Sequence, residues 1–108
     1  MGSKTEVTAE EFAGLAESQP GLRDWRHEDG VLVVRYATGT FVKGLAFVTA
    51  VGDAAEEANH HPDVTLTYPY VELRLFSHDA GHVTSRDVAL AARIAEIARA
   101  SSIPATPA

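Results

Sequence analysis

The sequence predicts an α+β domain: one four-stranded antiparallel sheet with helices packed on one face, in the order α-β-β-α-β-β-α. Three observations lead there. Segments that read as strands occur in two pairs, each joined by a short turn. A stretch with apolar residues three and four apart follows each pair. Hydroxyl-x-x-acid patterns, the signature of a helix start, stand at Thr8 to Glu11 and at Thr84 to Asp87.

The first helix runs from about Ala9 to Glu17, because Thr8 and Glu11 can cap each other's free amides. Pro20-Gly21 breaks the chain, and Asp24 to His27 with Val31 to Tyr36 form a hairpin around Glu28-Asp29-Gly30. The central helix follows Thr38-Gly39-Thr40 and carries an apolar stripe of Phe41, Leu45, Val48, Val51, Ala55 and Ala58. Gly44 and Gly52 each weaken it by about 1 kcal/mol relative to Ala, so burial of the stripe must hold it together. Pro62 ends this helix and places His60 and His61 at its C-terminus. Val64 to Tyr68 and Val71 to Phe76 alternate around Pro69-Tyr70 as a second hairpin. The last helix, Val88 to Ala100, turns Val88, Ala91, Ala92, Ala95 and Ala98 inward. Trp25 and Phe41 read as core, and the uncovered sheet face, with Tyr68, Glu72 and Arg74, suggests self-association.

The 108 residues fit one domain, assigned to residues 5–101, with 102–108 as a flexible tail and Met1 to Lys4 as a polar leader. Hydrophobic content of 45% with 22% charged residues is ordinary for a folded chain. A net charge of -6 repels phosphate backbones and anionic lipid, which disfavours nucleic acid and membrane surfaces as partners and favours a neutral or cationic small molecule. There is no Cys, so neither a disulfide framework nor a thiolate nucleophile is available. With no apolar run of signal or membrane length, the expected location is the cytoplasm.

The chemistry concentrates in EEANHHPD, Glu56 to Asp63. Glu56 and His60 are four apart, so on a helix they share a face; the carboxylate would orient the imidazole and, with the helix C-terminus, favour its charged form. His78 ends the last strand and could converge on the pair if the second hairpin packs against the central helix. Three histidines and acids without an evident nucleophile point to proton transfer. A zinc shell is an alternative, although adjacent His60 and His61 point about 100° apart on a helix and would need the chain to unwind to share an ion. Solvated polar residues at a helix end are another. His27 and His82 read as solvent-facing, Glu57 as a solvated neighbour, and Asp87 as a helix cap.

Glu56, three residues, His60-His61-Pro62, five residues, Tyr68, nine residues, His78, eight residues, Asp87 resembles the signature of the pterin-4a-carbinolamine dehydratases. The likeness runs from about Phe41 through Ile94, including Phe47, Ser77 to Gly81 and Thr84 to Asp87, and departs from the family's pattern at Asp24, Gly52-Asp53 and His82. The resemblance implies an α+β homodimer or homotetramer that dehydrates a 4a-hydroxytetrahydropterin to quinonoid dihydropterin without a metal. The pterin is then the substrate and no cofactor is needed. It also implies His60 and His78 as the acid/base pair, Glu56 as the group orienting His60, His61 as a substrate-positioning residue, and Ser77 and Asp79 as pterin contacts. Two rivals remain: a non-catalytic dimerisation or assembly cofactor on the same fold, and a metal-dependent hydrolase.

Overall fold

The computed structural model describes residues 4–106. Helix α1 (Ala9–Ser18) opens with the expected reciprocal cap: Thr8 Oγ1 accepts from the Glu11 amide at 3.2 Å, and Glu11 accepts from the Thr8 amide at 3.0 Å. A 3₁₀ turn over Pro20–Asp24 follows and buries Leu22 completely. It also occupies Asp24, so the first strand, β1 (Arg26–Glu28), starts two residues later than expected. Asp29 and Gly30 both take positive φ, 51° and 79°, which matches the twist of paired strands and returns the chain into β2 (Val31–Ala37).

Helix α2 (Phe41–Ala58) begins at Thr40, whose hydroxyl accepts from the Lys43 amide at 3.1 Å. Its buried face differs from the expected stripe. Gly44, Phe47, Val51, Ala54 and Ala55 face inward, whereas Phe41 and Leu45 are about half exposed at 48% and 50% and Ala58 is exposed. The reason is close approach to the sheet: a Cβ on Gly44 would lie 2.8 Å from Leu66 Cδ1 and 3.2 Å from Thr38 Oγ1. Asn59, with a left-handed φ of 50°, ends the helix, and the His60 amide closes back onto the Ala55 carbonyl at 3.1 Å. The helix therefore stops before Pro62, and both histidines lie just beyond it.

Strands β3 (Asp63–Leu66) and β4 (Tyr70–Leu75) complete an antiparallel sheet of order β1-β2-β4-β3. The α+β architecture and the α-β-β-α-β-β-α element order are as expected. Leu32, Val34 and Tyr36 of β2 and Val71, Leu73 and Leu75 of β4 face the helices. Helix α3 (Ser85–Ala100) adds Val88, Leu90, Ala91, Ile94 and Ala98 to that core, while Ala95, also buried, packs beside Gly21 of the 3₁₀ turn. On the other face Arg35 and Glu72 pair at 3.1 Å, and the Arg35 guanidinium lies 3.8 Å from the Tyr70 ring centre. Tyr68, expected on this face, sits in the β3–β4 turn and is 67% exposed.

The segment expected to fray from Ser101 is docked. Strand β1 pairs only with Val31 to Val33, which leaves the later edge of β2 open. The Ala37 amide donates to the Pro104 carbonyl at 2.9 Å and the Thr106 amide to the Arg35 carbonyl at 2.8 Å, while Ile103 is 5% exposed. Residues 107–108 of the tail and 1–3 of the expected leader lie outside the described residues. His27 and His82, expected to face solvent, are both part-buried and hydrogen-bond through Nε2 to the Val7 and Lys4 carbonyls at 2.8 and 2.6 Å.

Candidate active site

The turn after α2 sets His60 against the first turn of α3. His60 Nε2 lies 2.5 Å from Asp87 Oδ1, with the imidazole 11% exposed and the carboxylate fully buried. Asp87 Oδ2 accepts from the Thr84 amide at 2.9 Å and from the Ser77 hydroxyl at 2.7 Å. A buried carboxylate needs its oxygens filled, and here both are. Asp87 is thus the α3 cap that its spacing predicts, and it is also the partner of His60. That second role is what the sequence reading missed.

Glu56 does not reach His60. Its Oε2 lies 2.5 Å from His61 Nε2 on the exposed side of the turn, where the side chains are 78% and 56% exposed. The expected pairing assumed that the helix continues through residue 60, which would place residues 56 and 60 one above the other. The left-handed Asn59 swings His60 toward α3 and leaves His61 over Glu56.

Ser77, expected to contact a ligand, is fully buried and spends its hydroxyl on Asp87 and on Thr84 Oγ1, 2.8 Å away. His78 follows it directly and is exposed, its ring edge-on to Phe76 at 5.0 Å between centres. Among the described residues its ring makes no hydrogen bond, to His60 or to any other group. Asp79 is exposed and held by Arg86 at 2.7 Å and, more loosely, by Lys4 at 3.8 Å. The hydrogen bond from Arg86 keeps the Asp79 carboxyl below its usual range and raises the guanidinium in turn. Beside His60, a cavity of about 340 Å³ runs between α2 and α3, with Ala54, Ala58, Ala89 and Leu90 as apolar lining and Glu57, Arg86 and Arg93 as charged lining. His61 and His78 are not part of that lining. The two imidazoles at the turn are held by separate carboxylates, and among the described residues no three His, Asp or Glu side chains are grouped to hold a metal ion.

Residues 5–97 match the family described as pterin 4 alpha carbinolamine dehydratase. The chain belongs to that family. A protein of Thermomicrobium roseum named "Putative pterin-4-alpha-carbinolamine dehydratase" is 44% identical over 87 residues, covering 81% of this chain and 90% of that one. One of the same name from Chloroflexus aurantiacus is 44% identical over 85 residues, covering 79% and 91%. Among solved structures, a Brucella melitensis transcriptional coactivator/pterin dehydratase shares the fold at a TM-score of 0.75 and 23% identity, over 87% of this chain and 99% of that one. A pterin dehydratase-like protein described as a RuBisCO assembly factor of the alpha-carboxysome aligns at a TM-score of 0.56 and 27% identity, over 68% and 86%. Apart from Tyr68, in the β3–β4 turn, the pterin-4a-carbinolamine dehydratase signature read from the sequence lies across the end of α2, the turn after it, the β4 end and the α3 cap just described.

Proposed function

We propose that this protein dehydrates a 4a-hydroxytetrahydropterin to quinonoid dihydropterin and water, in the recycling of pterin cofactors. The observation that carries this reading is the family match across residues 5–97. The chemistry breaks the C4a–oxygen bond. A proton must reach the departing hydroxyl as another leaves a ring nitrogen, which general acid/base groups can manage without a covalent intermediate. His60 and His78 serve as that pair. Asp87, in place of Glu56, orients His60, while Glu56 supports His61 as a substrate-positioning residue. Asp79 remains a candidate contact for the pterin. The pterin is the substrate and no further cofactor takes part. The proposal includes a cytoplasmic homodimer or homotetramer; the exposed Phe41, Val42 and Leu45 on α2 support self-association.

The test follows the decay of chemically generated 4a-hydroxytetrahydropterin by ultraviolet absorbance. Wild type should accelerate it, His60→Ala should lose most of the acceleration, and His60→Ala/His78→Ala nearly all. A folded wild type no faster than buffer would sink the enzyme assignment. The relative described as an assembly factor favours a second reading, a non-catalytic protein-binding module. Recovery of one stoichiometric protein partner by an inactive wild type would favour it.

A further inference from the structure

We infer that Ser77 is a positioning residue that fixes, through Asp87, which nitrogen of His60 is free to exchange a proton; the catalytic consequence rests on the proposed dehydration. The Ser77 side chain cannot meet a bound molecule, because the residue is fully buried. Its single hydroxyl hydrogen goes to Asp87 Oδ2 at 2.7 Å, so the Thr84 hydroxyl 2.8 Å away must be the donor in their contact. Thr84 Oγ1 in turn accepts from the Arg86 amide at 3.3 Å and from Arg86 Nε at 3.4 Å. The donors therefore run in one direction, from Arg86 to Thr84 to Ser77 to Asp87, and His60 donates to the same carboxylate from the other side. Hydrogen bonds aligned this way polarise one another.

The consequence lies at His60. With Oδ2 held by the Ser77 hydroxyl and the Thr84 amide, the carboxylate can turn only Oδ1 toward the imidazole. A carboxylate oxygen accepts and does not donate, so neutral His60 carries its proton on Nε2 and leaves Nδ1 open. Ser77 also ties the β4 end to this geometry, since its carbonyl accepts from the Ala80 and Gly81 amides at 3.1 and 2.9 Å. The Ser77 hydroxyl, through its bond to Asp87, joins the backbone that leads into His78 to the carboxylate that holds His60.

The experiment compares Ser77→Ala with Ser77→Thr, which keeps the hydroxyl, in the full chain. Long-range proton–nitrogen NMR on the His60 ring should show the Nε2–H form in wild type and Ser77→Thr, and a mixture of tautomers in Ser77→Ala. In the dehydration assay, Ser77→Ala should lower kcat about tenfold with KM within about twofold, and Ser77→Thr should recover it. An unchanged His60 tautomer in Ser77→Ala overturns the inference, as does a raised KM at constant kcat, the mark of direct substrate contact. If Ser77→Ala does not fold, Ser77→Cys, a near-isosteric and weaker donor, is read in the same way. If wild type has no dehydratase activity, the proposed function fails, while the NMR comparison still decides the role of Ser77.

Discussion

Asp87 holds His60 at 2.5 Å with one oxygen and caps α3 with the other. The start of a helix and the orientation of a candidate catalytic imidazole therefore depend on a single buried carboxylate. Asp87→Asn keeps the volume and removes the charge. If the amide oxygen stays on Ser77 and Thr84, the amide NH₂ faces His60 and requires Nε2 to accept, which moves the proton to Nδ1. We predict a fall in kcat of about 100-fold. Loss of the charged cap should also lower stability by about 1–2 kcal/mol in urea unfolding. Wild-type kcat in a folded Asp87→Asn protein would remove Asp87 from the catalytic account.

The second prediction separates the two histidines. Glu56 touches His61 and not His60, so Glu56→Gln and His61→Ala should be less than additive, while Glu56→Gln and His60→Ala should add within about 0.5 kcal/mol. The pair is exposed, and its coupling should be small, about 0.2–1 kcal/mol. A double-mutant cycle on kcat/KM checks this. Strong coupling of Glu56 to His60 would restore the arrangement expected from helical spacing.

That expectation shows where local rules run out. Periodicity, capping and turn patterns located the three α-helices and the four strands, because those signals depend on near neighbours in the chain, but they did not locate the 3₁₀ turn over Pro20–Asp24. The face that α2 buries was misjudged, since the alternatives differ by one step around the helix and only Gly44's closeness to Leu66 and Thr38 chooses between them. The histidine partners were misjudged for a similar reason. One left-handed residue, Asn59, changes which side chain lies above Glu56, and Asn is among the residues that favour that conformation at a helix end. Asp87 was in view through its spacing from His78, but a helix cap already accounted for it. A residue with a sufficient local explanation gives no local sign of a second, tertiary one.

The C-terminal segment yields the third prediction. Ile103 is buried and the backbone beyond it completes the open edge of β2, so it contributes to stability like core. Ile103→Ala should cost about 2–4 kcal/mol in chemical denaturation. Truncation after Ser102 should cost at least as much, because it also removes the hydrogen bonds to Arg35 and Ala37. A frayed tail would leave the midpoint unchanged in both variants.

The last prediction concerns alkaline pH. Tyr36 is fully buried in the core and its hydroxyl donates to Asp24 at 2.9 Å. Burial first, and the neighbouring Asp24 carboxylate second, push the phenol far above its ordinary value of 10.0. The neutral form is thus favoured in the folded state. Below about pH 10 both states hold the proton and the contribution is fully present. As pH rises past that value the unfolded chain ionises first, and stability falls until the folded state can ionise as well. Urea midpoints measured between pH 8 and 11 should therefore fall less steeply above pH 10 in Tyr36→Phe than in wild type. Tyr36→Phe also leaves Asp24 without its hydroxyl partner, so its stability at pH 8 should be lower by about 1 kcal/mol. Parallel alkaline slopes in the two proteins would show that the Tyr36 phenol does not set the high-pH limit.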